Sequence, residues 1–405
     1  MLSDDAINNL IQPIVDRQEA INTFVLQLIA NRLGQIGTMS KSDLWRLRMM
    51  FEMGVDAQKL NKELSRITNL QVRDIRRIIE EVARDSYLDV KPFYDYRELP
   101  YIPFAENKRI QQIVNAIAVQ TSNTYVNLSN SKMIGMVTHD SITGKRKVFR
   151  SVESTYKTTI DQAIQASQSG IIDYQTAIRR SMKQLVDSGI RRLAWDSGYT
   201  QRLDTAVKRN ILDGIRQVNQ QVQNATGEEF GADGIELTAH FNPAPDHASV
   251  QGHQFTKEQF ERMQSGMSCK DVQGRTYAGF PRAIGELNCK HLAYSIIIGH
   301  AKQNFTDAQL KQILADNEVG YTFPNGRHLT GYGCLQYQNQ LALKVRQAKD
   351  GQIAARQMKD DELAKEYQRK VNKYVQQYNA FSKAAGISER KDKLTVSGYR
   401  RISTK

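Results

Sequence analysis

The sequence has few cysteines and no long apolar run. Its 405 residues include only three cysteines, Cys269, Cys289 and Cys334, and this small odd number argues against the disulfide framework of an oxidised secreted protein. No run of about 18 apolar residues occurs, and the N-terminus MLSDDAINNL lacks the basic and apolar regions of a signal peptide. We therefore expect reduced thiols, no membrane span and a cytoplasm-like compartment.

The motifs of several enzyme classes are also missing. The chain has no GxxxxGK[ST] and no GxGxxG between a strand and a helix, so it offers no phosphate-binding loop for an ATP-driven motor. It has neither GxSxG nor a cysteine in a helix-opening motif. These absences disfavour nucleotide-driven and nucleophilic enzymes.

Positive charge is in excess. The sequence holds 56 Lys and Arg against 43 Asp and Glu, a formal net charge of +13, and the stretch 383–405 is its most basic short segment. A polyanionic neighbour such as nucleic acid fits this excess. The alternative is that the basic residues are spread along solvated helix faces.

Most of the chain has the apolar periodicity of amphipathic helices. One stripe runs from Ile7 to Leu33 and is broken by Gly34 and Gly37. Two sequences that resemble capping boxes, Ser40 with Asp43 and Thr68 with Gln71, place helix starts near 41 and 69. Further helices are predicted at 110–128, 152–168, 173–187, 203–223 and 306–316. The charged stretch 332–384 predicts two helices, interrupted near Gly351 and packed as a hairpin.

The segment KPFYDYRELPYIPF, residues 91–104, contains three prolines and five aromatic residues. It predicts an extended strap, because the prolines cannot continue a helix. The aromatic rings cover the edge of a helical bundle, stack on nucleic-acid bases or insert into a groove of a partner. We favour the first interpretation, because only Lys91 and Arg97 accompany them and base stacking normally comes with more basic residues.

Two segments have strand patterns. GIELTAH, residues 234–240, alternates apolar and polar residues, and the apolar LAYSIIIG, residues 292–299, is its candidate partner. A histidine-rich loop and a short helix around 257–264 lie between them, and HDSITGKRKVF, residues 139–149, predicts a hairpin with Gly144 at its tip.

These patterns predict a mostly α fold with a small α+β domain. We divide the chain into four parts. They are a helical N-terminal block (1–90), a part with the strap, helices and hairpin (91–189), a central α+β domain (190–300) and a C-terminal region of long helices with a basic tail (301–405).

The loop HFNPAPDHASVQGHQF, residues 240–255, holds three of the seven histidines, and Cys289 and His291 fall in the same domain. Zinc accepts these ligand types, which makes His240, His247, Cys289 and His291 candidate metal ligands. Their spacing matches no closed zinc motif, since CxxC and HExxH are absent. The competing interpretation is a turn whose polar side chains satisfy backbone groups.

Asp246 beside His247 also resembles an orienting carboxylate and a base, but no nucleophile lies at a recognisable spacing. We therefore expect no enzymatic activity, no catalytic residue and no cofactor-binding residue. Zinc is the one cofactor that the sequence leaves open.

Four stretches of the sequence carry a resemblance to a known family. They are the N-terminal helices with DRQEAINTFVLQLIANRL, the helix and strand ending in GIELTAH, the histidine-rich loop with the NCKH element, and the C-terminal helices with KYVQQYNAFSKAAGISERKDKL. Together they resemble the phage minor capsid (minor head) protein family, minor capsid protein type 2, which is related to the Mu F-like head-morphogenesis proteins. The family's loop pattern is matched by His240, Pro245, Asp246, His247, Gln251 and Gly252, and its NC-basic-H element by Asn288, Cys289 and His291.

Two positions depart from the family's pattern. The sequence NPAP stands where a glycine-alanine-arginine turn is usual, and Val250 stands where an aromatic residue is common. The role of the missing arginine is therefore not carried over to this chain.

The resemblance implies a structural virion protein of several copies that associates with the portal protein and the major capsid protein. It implies a place in the capsid interior near the portal vertex, assembly in the host cytoplasm, contact with packaged double-stranded DNA, and release with that DNA at ejection. The alternative is a metal-dependent enzyme, nuclease- or toxin-like, at 234–300, delivered with the virion. The sequence leaves open whether hydrogen bonds or zinc join the loop to the element of Asn288, Cys289 and His291.

Overall fold

The computed structural model describes residues 4–36, 55–129, 134–139, 147–169, 174–193, 200–279, 283–285, 289 and 291–404. In this part of the chain the fold is mostly α with small antiparallel sheets, as the sequence predicts. The helices are α1 (Asp4–Ile36), α2 (Val55–Asp89), α3 (Lys91–Tyr96), α4 (Lys108–Leu128), α5 (Val152–Ser169), α6 (Tyr174–Ser188), α7 (Leu203–Glu229), α8 (Lys257–Gln264), α9 (Asp307–Val319), α10 (Gly331–Gln357) and α11 (Asp361–Ala384). Among these described helices, none combines the length and the apolar character needed to span a bilayer.

The strands form four small antiparallel sheets in the described residues. They are β1 (Ile134–His139), β2 (Lys147–Ser151), β3 (Arg191–Leu193), β4 (Thr200–Arg202), β5 (Gly234–Leu237), β6 (Gln254–Thr256), β7 (Cys269–Lys270), β8 (Thr276–Tyr277), β9 (Ala293–Ile296), β10 (Tyr321–Thr322) and β11 (His328–Leu329). The strand orders are β2-β1-β3-β4, β6-β5-β9, β7-β8 and β10-β11. The predicted pairing of 234–240 with 292–299 is confirmed as β5 against β9.

The chain divides into two compact units that are each built from separate segments. The first unit contains Met1–Leu10, Asp74–Asn123 and Arg209–Tyr337, and the second contains Ile11–Arg73, Thr124–Lys208 and Gln338–Lys405. The sheet β6-β5-β9 lies in the first unit, and the sheet β2-β1-β3-β4 lies in the second. The four consecutive domains inferred from the sequence remain a prediction.

The charged C-terminal stretch forms two helices, as predicted, but the break lies at 358–360 and not near Gly351. Gly351 lies inside α10, where an added Cβ would be 2.2 Å from Cε1 of Tyr367 on α11. The glycine therefore allows the tyrosine ring to pack against the α10 backbone. Asp360 begins α11 as its N-cap, with its Oδ1 accepting the backbone N–H of Leu363 at 3.0 Å.

The helix start predicted near 69 is wrong, because α2 runs through it from Val55 to Asp89. Gln71 is fully buried in the second unit. Its Oε1 accepts the Nε2 of Gln18 at 2.6 Å, and its own Nε2 donates to the carbonyl of Ile14 at 3.0 Å. The polar residue that resembled a capping partner thus makes a tertiary contact. The start predicted near 41 and the tip of the 139–149 hairpin lie outside the described residues, although β1 and β2 pair antiparallel.

The predicted extended strap begins instead with the short helix α3, which has Pro92 in its first turn. Proline is tolerated there because the first N–H groups of a helix have no partner within it. Four of the five aromatic residues of the segment are buried or half-buried in the first unit, whereas Tyr96 is exposed. Tyr94 is buried, the ring centroids of Phe93 and Phe230 are 5.0 Å apart, and those of Tyr87 and Tyr101 are also 5.0 Å apart. This burial agrees with the edge-covering role.

A group of buried charges lies in the second unit. The guanidinium of Arg202 donates to Glu19 at 3.5 Å and to Asp204 at 3.3 Å. Arg346 also donates to both carboxylates. Burial and the negative charge of Asp204 raise the pKa of Glu19 to about 8, whereas the two arginines overcome the effect of burial on Asp204 and hold its pKa low. Asp204 is therefore ionised, and Glu19 keeps its proton at neutral pH.

We expect the free energy of unfolding to fall as the pH rises, because of Glu19. Its pKa in the folded state is about 8, above the ordinary 4.5, so the unfolded chain binds fewer protons between these two values. One proton of difference changes the free energy of unfolding by about 1.4 kcal/mol per pH unit. Glu19→Gln keeps the shape of the protonated acid and should flatten this dependence in urea unfolding measured across that range.

Glu366→Gln is the matched control, since Glu366 is exposed on α11 and pairs with Lys370 at 2.5 Å. This variant should keep the pH dependence of the unmodified protein. An unchanged dependence in Glu19→Gln would mean that Glu19 is ionised in the folded chain.

Candidate metal centre

The pairing of three strands brings the predicted site residues to one end of a sheet. Strand β5 lies between β6 and β9 and runs antiparallel to both. The end of β5 therefore lies beside the start of β6 and the start of β9. The histidine-rich loop leaves β5 and returns as β6, while Cys289 and His291 lead into β9. Residues far apart in sequence consequently meet at this end.

Three side chains converge there, those of His247, Cys289 and His291. The Sγ of Cys289 lies 3.3 Å from Nδ1 of His247 and 3.4 Å from Nδ1 of His291. The candidate ligand atoms of the three residues all lie within 4.8 Å of one another. His247 and His291 are buried and Cys289 is half-buried. The structure thus unites three of the four metal-ligand candidates predicted from the sequence.

Gln251 orients His291. It is buried, and its Oε1 accepts the backbone N–H of His240 at 2.9 Å while lying 3.4 Å from Nε2 of His291. Because this amide oxygen can only accept, the proton of a neutral His291 ring belongs on Nε2. The Nδ1 of His291 then presents a lone pair to the sulfur of Cys289. Hydrogen bonds of this kind commonly orient histidines that bind metals.

Thr238 holds the other edge of the cluster. Its Oγ1 accepts the backbone N–H of Leu292 at 3.0 Å and lies 3.2 Å from Nε2 of His240. The hydroxyl of Thr238 thus joins the segment that enters β9 to the imidazole of His240. Sequence reasoning did not single out Thr238, although the two-residue period of a strand places it on the same side as His240.

The surroundings of Cys289 favour its ionised form. Burial opposes ionisation, but the contacts with the imidazoles of His247 and His291 and with the backbone of Gly285 outweigh it and lower the pKa of Cys289 to about 5. Burial also lowers the pKa of His291. A thiolate beside an uncharged imidazole is the protonation state in which these two residues bind a metal.

The distances among the three residues suit zinc. In a tetrahedral site with bonds of about 2.3 Å to sulfur and about 2.0 Å to nitrogen, neighbouring S and N ligand atoms are about 3.5 Å apart. The two Sγ to Nδ1 distances, 3.3 and 3.4 Å, lie close to this separation. They are also within the range of hydrogen bonds to sulfur, so the donor set fits zinc and fits a hydrogen-bonded cluster.

The remaining predicted residues take other places. The ring centroid of His240 is 5.0 Å from that of His291, but His240 does not join the three-ligand group. Pro245 is exposed and Asp246 is half-buried. Asn288 lies outside the described residues.

Cys269 and His253 also have side chains that can bind metals and lie in the same domain, but they make other contacts. Cys269 is packed in a hydrophobic cluster with Phe255 and Met263. His253 lies with its Nδ1 2.8 Å from an Nη2 of Arg275, and burial together with that guanidinium lowers its pKa. Neither residue is in the three-ligand group among the described residues.

The backbone conformation at position 252 accounts for the glycine that follows Gln251 in the loop. Its φ is +72°, in the left-handed region that L side chains rarely adopt. An added Cβ would also lie 2.5 Å from Cδ2 of Leu310 on α9. The backbone N–H of Gly252 donates to the carbonyl of Leu237 at 3.1 Å. The loop therefore returns to the end of β5 through a backbone conformation that favours glycine.

A buried carboxylate that sequence reasoning missed supports the neighbouring hairpin β7-β8. Asp271 accepts the backbone N–H groups of Gln273 and Arg275, each at 2.9 Å, and the hydroxyl of Tyr277 at 2.8 Å. The Nε of Arg275 donates to it at 2.5 Å. Burial would raise the pKa of Asp271, but these hydrogen bonds outweigh it and lower the pKa below 3.8.

We expect Asp271→Asn to lower the free energy of unfolding at neutral pH by about 2–4 kcal/mol, because hydrogen bonds to a charged group contribute about 1.5–3 kcal/mol each and one oxygen acceptor is lost. The contribution of the ionised carboxylate is present above the ordinary pKa of 3.8 and is lost as the pH falls through the lower folded-state pKa. Urea unfolding at neutral and acidic pH measures both effects.

Asp307→Asn is the control, because exposed Asp307 pairs with the same Arg275 at 2.6 Å. Its loss should stay below about 1 kcal/mol. Equal losses in the two variants would contradict the special role of the buried carboxylate.

Comparisons with known proteins identify the family. The model of the family described as phage minor capsid protein 2 matches residues 2–383, a range that includes the histidine-rich loop, Cys289 and His291. No curated protein and no solved structure matched the chain. Since the match covers nearly the whole sequence, the chain belongs to the phage minor capsid protein 2 family and has a structural role in phage.

Proposed function

We propose that the protein is a non-enzymatic minor component of the phage head, located in the capsid interior at the portal vertex and in contact with packaged double-stranded DNA. Several copies would be present in each virion, bound to the portal protein and the major capsid protein. The family match over residues 2–383 is the observation that carries this proposal. Assembly in the host cytoplasm and release with the DNA at ejection belong to the same proposal.

The contact with DNA is supported by the distribution of basic residues near the C-terminus. Lys383, Lys391, Arg400 and Arg401 are exposed there, and we call these four residues the C-terminal basic surface. The segment that follows α11 is held in place, because Leu394 and Val396 are buried. Exposed cations on an ordered segment can neutralise the phosphates of a duplex.

Hydrogen bonds fix the last residues of the segment on α11. The Oε1 of Gln368 accepts the hydroxyl of Tyr399 at 3.0 Å and the backbone N–H of Ile402 at 3.1 Å. These bonds flank Arg400 and Arg401 in the sequence. The two arginines are thus held at the surface of the second unit, with less freedom to lose when they meet a polyanion.

The location proposed for the protein can be tested directly on phage particles. We expect the protein in purified DNA-filled heads and in procapsids isolated before packaging, as detected by mass spectrometry. Chemical cross-linking should join it to the portal protein and the major capsid protein. Absence from both particle types, or labelling on the tail alone, would contradict the proposal.

The DNA contact predicts a salt-dependent affinity that the C-terminal basic surface controls. Each phosphate contact contributes about 0.9 to the slope of log K against log salt concentration. The combined variant Lys383→Gln, Lys391→Gln, Arg400→Gln and Arg401→Gln should therefore reduce the magnitude of this slope by up to about 3–4. Fluorescence anisotropy with a double-stranded oligonucleotide at several salt concentrations measures it.

A variant with the same loss of charge serves as the control. It replaces the exposed α2 residues Arg66, Arg76, Arg77 and Arg84 by glutamine. Its salt dependence should match that of the unmodified protein. The same reduction in both variants would mean that net charge matters and that the C-terminal basic surface has no specific role.

A further inference from the structure

We propose that His247, Cys289 and His291 bind one zinc ion, which joins the loop between β5 and β6 to the segment that enters β9. This inference is independent of the proposed function. It requires three donor atoms that converge, a fixed orientation of the imidazoles, and a route by which the metal enters.

The first observation is convergence on a single sulfur. Both Nδ1 atoms face the Sγ of Cys289, at 3.3 Å and 3.4 Å. Without a metal, each contact needs a bridging proton. The bond to Gln251 leaves the Nδ1 of His291 without one, so in that contact two lone pairs face each other unless the thiol keeps its proton. A zinc ion satisfies all three atoms at once.

The second observation is Gln251 itself. Gln251 is 1% exposed, its Oε1 contacts His291, and its Nε2 has no hydrogen-bond partner among the described residues. A buried amide nitrogen of this kind is normally satisfied by ordered water or by a bound group. Three protein ligands leave the fourth position of a tetrahedral zinc ion to water. The Oε1 of Gln251 therefore orients His291, and its Nε2 can donate to a water molecule bound to the zinc ion.

The third observation is an entry path. His291 lines a cavity of about 510 Å³ together with Gly285, Arg216 and other residues of the first unit. Metal and water can reach the buried imidazole from this side.

The proposal is tested with the full-length protein. After chelator treatment and dialysis, the folded protein should bind one zinc ion per chain in a competition titration with a chromogenic chelator. Cobalt in place of zinc should give a thiolate-to-cobalt charge-transfer band in the near ultraviolet. A chain that is folded by circular dichroism but binds neither metal would overturn the proposal and assign the contacts to hydrogen bonds alone.

Variants identify the ligands. Cys289→Ser, His247→Asn and His291→Asn should each weaken zinc binding by more than about 100-fold, and Gln251→Leu should weaken it by about 10–100-fold, the usual effect of losing an outer-sphere partner. Cys289→Asp keeps an anionic ligand, so it should still bind cobalt but lose the charge-transfer band. This variant distinguishes loss of the sulfur ligand from loss of the fold.

Cys334→Ser and His300→Asn are the matched controls, because both residues lie in the first unit outside the three-ligand group. They should bind zinc as the unmodified protein does. Zinc binding that survives in Cys289→Ser, or that is lost equally in the controls, would contradict the assignment of these three ligands.

Discussion

The antiparallel register of β5 with β9 is the constraint on which the candidate site depends. Leu237 pairs with Ala293, and the ladder continues past the strand ends, because the backbone N–H of Thr238 donates to the carbonyl of Leu292 at 3.0 Å. His291 is thereby placed beside the start of the histidine-rich loop. A slip of one residue would turn every side chain of the strand to the opposite face, so the cluster exists only in this register.

Buried polar groups secure that register. Glu236 on β5 is buried, and its carboxylate accepts the Nε2 of Gln254 on β6 at 2.8 Å and the side-chain amide of Asn304 at 2.7 Å. Asp271 is satisfied in the same manner by the hairpin β7-β8. Burial of such groups is favourable only when each finds its partners, which disfavours alternative packings of the domain. These satisfied polar groups and the apolar cluster around Leu237 and Phe255 together hold the side chains of the small sheet in place.

The two sites for which we propose functions lie in different units. The candidate metal centre belongs to the first unit, and the C-terminal basic surface belongs to the second. They also rely on different physical effects, since one depends on the directed geometry of three ligand atoms and the other on charges spread over an exposed segment. A structural phage protein functions by binding specific partners and not by catalysis. A zinc ion that only joins two segments of the chain is consistent with that role.

The sequence by itself determined most of the long helices, the strands β5 and β9, and the family. Apolar periodicity predicted α1 and the short helix α8, alternation predicted β5, and the order of four motifs indicated the minor capsid family. These signals are local or cumulative, so one chain suffices to detect them. The same local reasoning failed at Gln71 and Gly351, where the residue type serves a contact with a distant segment.

Only the tertiary structure decided which of the candidate ligands meet. His247 and Cys289 are 42 positions apart, yet their side chains are in contact, whereas His253, much closer to His247 in sequence, pairs with Arg275. Spacing along the chain could not distinguish these outcomes, because strand order and register determine which loop ends lie side by side. Composition identified the donor atoms, and the folding of β5 between β6 and β9 brought three of them together.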